Sequence, residues 1–114
     1  MAEQTKPRDT RSESRFVFDV PLRVLGVDER NTVFGEETHS RNVSRRGVCF
    51  TTKNRINPGS AVSIRSFDKS KWSAAAVFQI RWVGDNHGEY LHGALLKDDG
   101  DWEMILNSVG LTSI

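Results

Sequence analysis

The chain has 114 residues, which is enough for one domain with a buried core, and 37% of them are hydrophobic. Its 16 Lys and Arg nearly balance 15 Asp and Glu, and a net charge of +1 argues against nonspecific binding to a polyanion such as DNA. The single cysteine, Cys49, excludes an internal disulfide, and the absence of an apolar N-terminal run predicts a cytoplasmic protein without membrane insertion.

The beginning of the chain is polar, carries charges of both signs and offers nothing to bury. We therefore predict a flexible tail over residues 1–10, followed by one folded domain over residues 11–114. Arg11 and Arg15 stand four residues apart, immediately before the first apolar residues. This spacing allows two guanidinium groups to reach the same ligand.

Short segments rich in β-branched and aromatic residues follow, with turn residues between them. They predict six strands, at residues 21–27, 31–39, 47–52, 60–67, 72–83 and 89–96. The sequences Asn57-Pro58-Gly59 and Asp85-Asn86-His87-Gly88 are typical of turns. Six short strands at regular spacing predict a mainly β protein built as a small antiparallel barrel.

Alternation along the strands predicts which residues face the core. The predicted core positions are Leu22, Val24, Val33 or Phe34, Val62, Ile64, Phe78, Ile80, Trp82, Leu91 and Leu95. Cys49 lies in a strand pattern and is expected to be a small buried hydrophobe.

The period of the apolar residues changes near the end of the chain. Trp102, Ile105, Leu106 and Val109 have helical spacing, acidic residues precede and enter the first turn, and Gly110 follows. A C-terminal helix with this apolar stripe must lie against the barrel or cover one of its ends.

Residues of the kind that catalyse reactions are scattered. His39, His87 and His92 lack the spacing of metal ligands, and no glycine-rich phosphate loop is present. His92 lies in a predicted strand, where a structural role is favoured over that of a base. The sequence therefore favours a binding module over an enzyme, without a cofactor.

Positive charge is concentrated in the middle of the chain. Residues 38–67 contain no acid, but they contain Arg41, Arg45, Arg46, Lys53, Arg55 and Arg65. Such a local concentration in a nearly neutral protein suits a small anionic ligand. Within it, Asn42, Ser44 and Gly47 precede a predicted strand, and arginines beside them could hold phosphate oxygens. The alternative is a solvated turn that leads into a strand.

An Arg-x-x-x-Arg element before the first strand and an Asn-x-Ser-x-x-Gly element before the third resemble the PilZ domain family. The resemblance covers about residues 8–110. It implies a six-stranded split barrel with an added helix and a role as receptor for cyclic di-GMP, a bacterial second messenger. The residue before the first arginine is Thr10, where many relatives have another Arg, and this leaves the ligand stoichiometry open.

The resemblance also implies roles for individual residues. Arg11 and Arg15 would contact phosphates and guanines, Asn42 a guanine edge, and Ser44 a phosphate or a neighbouring polar edge, while Gly47 would allow close approach. The secondary candidates are Arg8, Arg41, Arg45 and Arg46. Trp82 lies in a strand whose counterpart in the family often lines the ligand side, although a core position is favoured here.

In the mechanism that this resemblance implies, ligand binding draws the N-terminal segment over the barrel, and the new surface signals to an effector protein. Two alternatives remain open. One is an OB-like barrel that binds single-stranded nucleic acid, although a nucleic-acid polymer is not expected. The other is a PilZ-like adaptor that binds no nucleotide and serves only as a protein-interaction surface.

Overall fold

The computed structural model describes residues 16–17, 19–66, 75–100 and 102–108. Within these ranges the elements are β1 (Phe16–Val17), β2 (Pro21–Val27), β3 (Val33–Val43), β4 (Gly47–Thr52), β5 (Ala61–Ser66), β6 (Ala76–Asn86), β7 (Glu89–Asp98) and α1 (Trp102–Ser108). The two strands predicted at residues 21–27 and 47–52 have the predicted boundaries.

Strands β2 to β7 form a closed six-stranded antiparallel barrel, which confirms the predicted fold class. The order around the barrel is β3-β2-β5-β6-β7-β4, and pairing of β3 with β4 closes it. Strand β1 was not predicted. It adds to β3 beyond the end of β2, with Phe16 opposite Val43 and Val17 opposite Asn42.

The barrel interior is filled by the apolar residues that alternation predicted on β2 and β5. Leu22, Val24 and Ile64 are fully buried, and Val62 is nearly so. Cys49 is buried as well, as predicted. The predicted turns are also present, because Gly59 and the pair His87-Gly88 adopt positive φ angles between consecutive strands.

Helix α1 lies against the barrel, as its apolar stripe requires. Trp102, Ile105 and Leu106 are buried, and the Trp102 ring packs edge-on against Phe78 with ring centroids 4.9 Å apart. Val109 and Gly110, which were predicted to end the helix, lie outside the described residues.

Of the two alternatives predicted for the core on β3, the structure selects Phe34, whereas β7 departs from the predicted core positions. At the start of β3, Phe34 packs against the core, whereas Val33 is 75% exposed. The prediction for β7 was wrong, because Leu91 and Leu95 are on the outer face and the opposite phase, with His92 and Ala94, is buried.

His92 is a structural residue of the core, as its position in a strand predicted. Its ring stacks on Phe50 with centroids 5.3 Å apart, and its Nε2 atom accepts a hydrogen bond of 3.0 Å from the Ile56 backbone N–H. Accepting this bond requires an unprotonated Nε2. Burial, with a smaller contribution from the positive charge of Arg55, accordingly lowers the pKa of His92 from 6.5 to about 4.

Acid should destabilise the protein through His92. The unfolded chain restores the ordinary pKa of the imidazole, so between pH 6.5 and about 4 the unfolded state binds more protons than the folded state. The free energy of unfolding should therefore decrease by about 3 kcal/mol as the pH falls through this window. Urea denaturation at several pH values measures it. His92→Gln, which does not titrate, should show a flatter dependence, and an equal dependence in both proteins would contradict the prediction.

Candidate functional site

The Asn-x-Ser-x-x-Gly element joins β3 to β4 through a tight loop. Strand β3 continues to Val43, beyond the predicted end at residue 39, so the loop itself comprises residues 44–46. The Ser44 N–H donates to the Gly47 carbonyl at 2.9 Å, and the Ser44 carbonyl accepts a 3.1 Å hydrogen bond from Trp102 Nε1. Helix α1 is therefore bonded directly to the loop through this hydrogen bond.

Ser44 of this loop and Gly47, the first residue of β4, are both buried. The Ser44 hydroxyl lies 3.5 Å from the Gly47 carbonyl oxygen. A Cβ atom on Gly47 would lie 3.2 Å from the Ala94 carbonyl oxygen, which is closer than almost all real Cβ contacts. Glycine at this position thus allows β4 and β7 to pack closely. This packing by itself explains why the residue is glycine, and contact with a ligand is not needed to explain it.

Asn42 faces outward because β3 contains a bulge at Arg41. Ser40 pairs with Phe50 and is buried, where its hydroxyl accepts a 2.9 Å hydrogen bond from the Val20 N–H. The next pair across the strands is Asn42 with Cys49, so one extra residue has been inserted and the alternation shifts. The Asn42 side chain forms no hydrogen bond to any other residue that the structure describes.

A second bulge, at Arg81 in β6, turns Trp82 outward. Ile80 pairs with Ala94 and is buried, whereas Trp82 pairs with Gly93 and is 42% exposed. The prediction that Trp82 belongs to the core was therefore wrong. A Cβ atom on Gly93 would overlap the indole, so the Trp82 ring packs directly on the glycine.

Together the two bulges align four residues on the side of the sheet that faces away from the core, of which the two at the ends are accessible and the two in the middle, Cys49 and Gly93, are buried. We call Asn42, Cys49, Gly93 and Trp82 the outer row, because each is the cross-strand partner of the next. The row spans roughly 14 Å, which is three spacings of about 4.8 Å between neighbouring strands. An amide stands at one end, an indole at the other, and small residues lie between them.

The chain enters the barrel beside the Asn42 end of this row. Val17 of β1 is the partner of Asn42, and the N-terminal segment precedes β1. Arg8, Arg11 and Arg15, the predicted ligand residues of that segment, lie outside the described residues.

The remaining predicted arginines lie on or near the loop. Arg41 is exposed at the β3 bulge, and Arg45 and Arg46 are exposed in the loop. Arg45 and Arg46 line a cavity of about 420 Å³ between the loop, the end of β7 and helix α1. Asp99 and Glu103 line the same cavity, so its charge is mixed.

The described part of the chain contains no three His, Cys, Asp or Glu residues close enough together to hold a metal ion. None of the described helical residues forms a segment of the length and hydropathy needed to cross a bilayer.

Several solved structures share this fold. The inhibitor of motility MotI/DgrA of Bacillus subtilis matches with a TM-score of 0.62 and 12% identity, over 89% of this chain and 49% of the other. MrkH of K. pneumonia in complex with c-di-GMP matches with a TM-score of 0.61 and 10% identity, over 90% of this chain and 50% of the other. A further structure of MrkH, described as a c-di-GMP-dependent transcription regulatory factor, gives 0.55 and 11%, over 87% and 48%.

This chain thus spans about half the length of the chains that it matches. At these identities the likeness concerns the fold. No protein-family model matches the sequence, and no characterised protein matches it by sequence.

Proposed function

We propose that the chain is a PilZ-like receptor for cyclic di-GMP and acts without catalysis. One observation carries the proposal: β1, which follows the arginines of the N-terminal segment, pairs with β3 at Asn42. Because Arg15 directly precedes β1 in the chain, the proposal brings the two motifs together at the Asn42 end of the outer row. The solved structure of MrkH with c-di-GMP, which has the same fold at low identity, adds support.

The chemistry of the outer row suits a guanine nucleotide. Asn42 offers an amide donor and acceptor that no other described side chain engages, and such a group can pair with a base edge. Trp82 offers an exposed aromatic face on which a base can stack. Arginine can pair with guanine O6 and N7 and also bind phosphate, and these are the roles that we assign to Arg11 and Arg15.

Ser44 and Gly47 serve first to build the loop. Both are buried, and the Ser44 hydroxyl is directed to the Gly47 carbonyl, so Ser44 would have to rotate to reach a phosphate. In this proposal they hold Asn42 in position. Arg8, Arg41, Arg45 and Arg46 supply additional positive charge around the same edge.

Signalling would pass through the N-terminal segment. Residues 1–10, which are polar, form the proposed tail, and the proposed domain begins at residue 11. Ligand contacts with Arg11 and Arg15 would fix the segment over the barrel, at a cost in conformational entropy that charge-assisted hydrogen bonds offset. The surface formed in this way would engage an effector protein.

Calorimetric titration of the wild-type chain with cyclic di-GMP tests the proposal directly. Asn42→Ala should weaken binding by about 1–3 kcal/mol, the scale of a hydrogen-bonded base contact. Asn107→Ala removes the same amide from an exposed position on α1 and should bind as the wild type does. No measurable binding to the wild type would refute the receptor function and would favour an adaptor that binds only protein.

A second candidate function comes from the exposed indole of Trp82 beside Arg81. Exposed aromatic and basic residues on a strand face are typical of barrels that stack the bases of single-stranded nucleic acid. Competition between cyclic di-GMP and a short single-stranded oligonucleotide separates the candidates. Displacement of the dinucleotide by equimolar oligonucleotide would favour the nucleic-acid function.

A further inference from the structure

The bulges at Arg41 and Arg81 place an arginine at each end of the outer row, and neither arginine is a defining residue of the two sequence motifs. In a bulge, two residues of one strand stand opposite a single residue of its partner. Arg41 and Asn42 are therefore both opposite Cys49, and Arg81 and Trp82 are both opposite Gly93. Each end of the outer row carries an exposed arginine directly beside its amide or indole.

The surroundings of Arg81 leave its charge available. Its side chain forms no ion pair or hydrogen bond with another residue in the described ranges. The outward residues next to it are uncharged: Gln79 and Gly84 on β6, and Leu91 and Leu95 on β7. An anion placed there would meet positive charge that no adjacent carboxylate of the described strands neutralises.

We propose that Arg81 is a phosphate-binding residue of the nucleotide site. This inference rests on the proposed function and extends its site to the Trp82 end of the outer row. A guanine stacked on Trp82 brings the phosphate of the same nucleotide within reach of Arg81. Arg41 occupies the equivalent place beside Asn42, so the site binds a ligand with two phosphates across the sheet.

The arrangement also determines which ligands bind well. A mononucleotide such as GMP carries one phosphate and engages one end of the row. A cyclic dinucleotide carries two phosphates and two bases, and it engages both ends. We therefore expect the chain to discriminate in favour of the dinucleotide, and the discrimination depends on Arg81.

The test compares calorimetric affinities for cyclic di-GMP and for GMP in four proteins: wild type, Arg81→Ala, Arg81→Lys and Arg30→Ala. Arg30 is exposed in the β2–β3 turn, so its replacement makes the same change in net charge away from the outer row. Arg81→Ala should weaken dinucleotide binding about tenfold or more, the effect of losing a charge-assisted hydrogen bond. Arg81→Lys should restore most of the affinity, and Arg30→Ala should bind as the wild type does.

The outcomes separate this inference from the function on which it rests. Wild-type binding that is unchanged in Arg81→Ala overturns the role of Arg81 and leaves the receptor function standing. Equal losses in Arg81→Ala and Arg81→Lys overturn the phosphate contact, because lysine retains the charge. If the wild type does not bind cyclic di-GMP, the receptor function and this inference both fail. Thermal denaturation of each variant verifies that it is folded.

Discussion

Replacing Trp102 with alanine should lower the free energy of unfolding by about 3–5 kcal/mol, the cost typical of removing a large buried aromatic residue. Trp102 is the largest fully buried side chain among the described residues. It packs edge-on against Phe78 in the barrel, and its Nε1 donates to the Ser44 carbonyl. One residue thus connects the helix, the core and the β3–β4 loop.

Two further variants divide this effect into its parts. Trp102→Phe keeps an aromatic ring and removes the hydrogen bond to Ser44, so we expect a smaller loss of about 1–3 kcal/mol. Met104→Ala alters an exposed residue of the same helix, and its cost should stay within about 0.5 kcal/mol. Urea denaturation measures all three. A cost for Trp102→Ala no greater than that for Met104→Ala would mean that the helix does not stabilise the barrel.

The same hydrogen bond connects stability to the proposed site. Ser44 lies two residues after Asn42, and its carbonyl is fixed by Trp102. Loss of the bond in Trp102→Phe should therefore change the amide NMR resonances of the loop as well as the stability. The helix is in this sense part of the support of the site, although it contributes no proposed ligand contact.

Much of the fold could be predicted because burial of one face gives the apolar residues of a strand or helix a regular spacing. On β5, Val62 and Ile64 alternate with polar residues, and only one phase can face the core. On α1, Trp102, Ile105 and Leu106 have the spacing of one helical face. In these segments the apolar pattern and the geometry of the element agree.

On β7 the apolar pattern does not indicate which face of the strand is buried. Leu91 and Leu95 share one phase, while His92 and Ala94 share the other, so both faces contain apolar residues. The buried phase is decided by contacts with distant residues, namely the stacking of His92 on Phe50 and its hydrogen bond from Ile56. Neither contact can be read from the strand itself.

Bulges caused the most important difference at the site. A residue inserted at Arg81 reverses the phase of β6, so Trp82 lies outside although Ile80 lies inside. A similar shift at Arg41 turns Asn42 outward. Strict alternation cannot anticipate either shift, because the extra residue has no sequence mark of its own. The outer row therefore emerges only from the register of the strands.

The second motif predicted a loop that leads into a strand, and the ligand roles of its residues stay predictions. The Asn-x-Ser-x-x-Gly element does precede β4, and Asn42 has an unengaged amide. Ser44 and Gly47, however, are buried, the first in the loop and the second at the start of β4. A sequence pattern cannot distinguish residues that build a loop from residues that the loop presents.

Replacing Arg11 and Arg15 together with alanine should weaken cyclic di-GMP binding by about 2–6 kcal/mol, if each contributes the 1–3 kcal/mol of a bidentate guanine contact and the effects add. Both arginines precede β1 in the chain, and Val17 of β1 pairs with Asn42 of the outer row. Without them the segment loses the two contacts that the proposal relies on most to offset its loss of conformational entropy. Calorimetry should show binding reduced at least thirtyfold.

The control must remove charge from the same segment without touching the motif. Lys6→Ala does so, and we expect it to reduce affinity only slightly, through long-range electrostatics that salt screens. Amide hydrogen exchange of residues 1–15 provides an independent readout, since the ligand should protect these amides in the wild type and in Lys6→Ala. If the double variant binds as tightly as the wild type, the ligand does not use the N-terminal arginines. Recognition would then rest on the outer row alone, and signalling through the tail would have no physical basis.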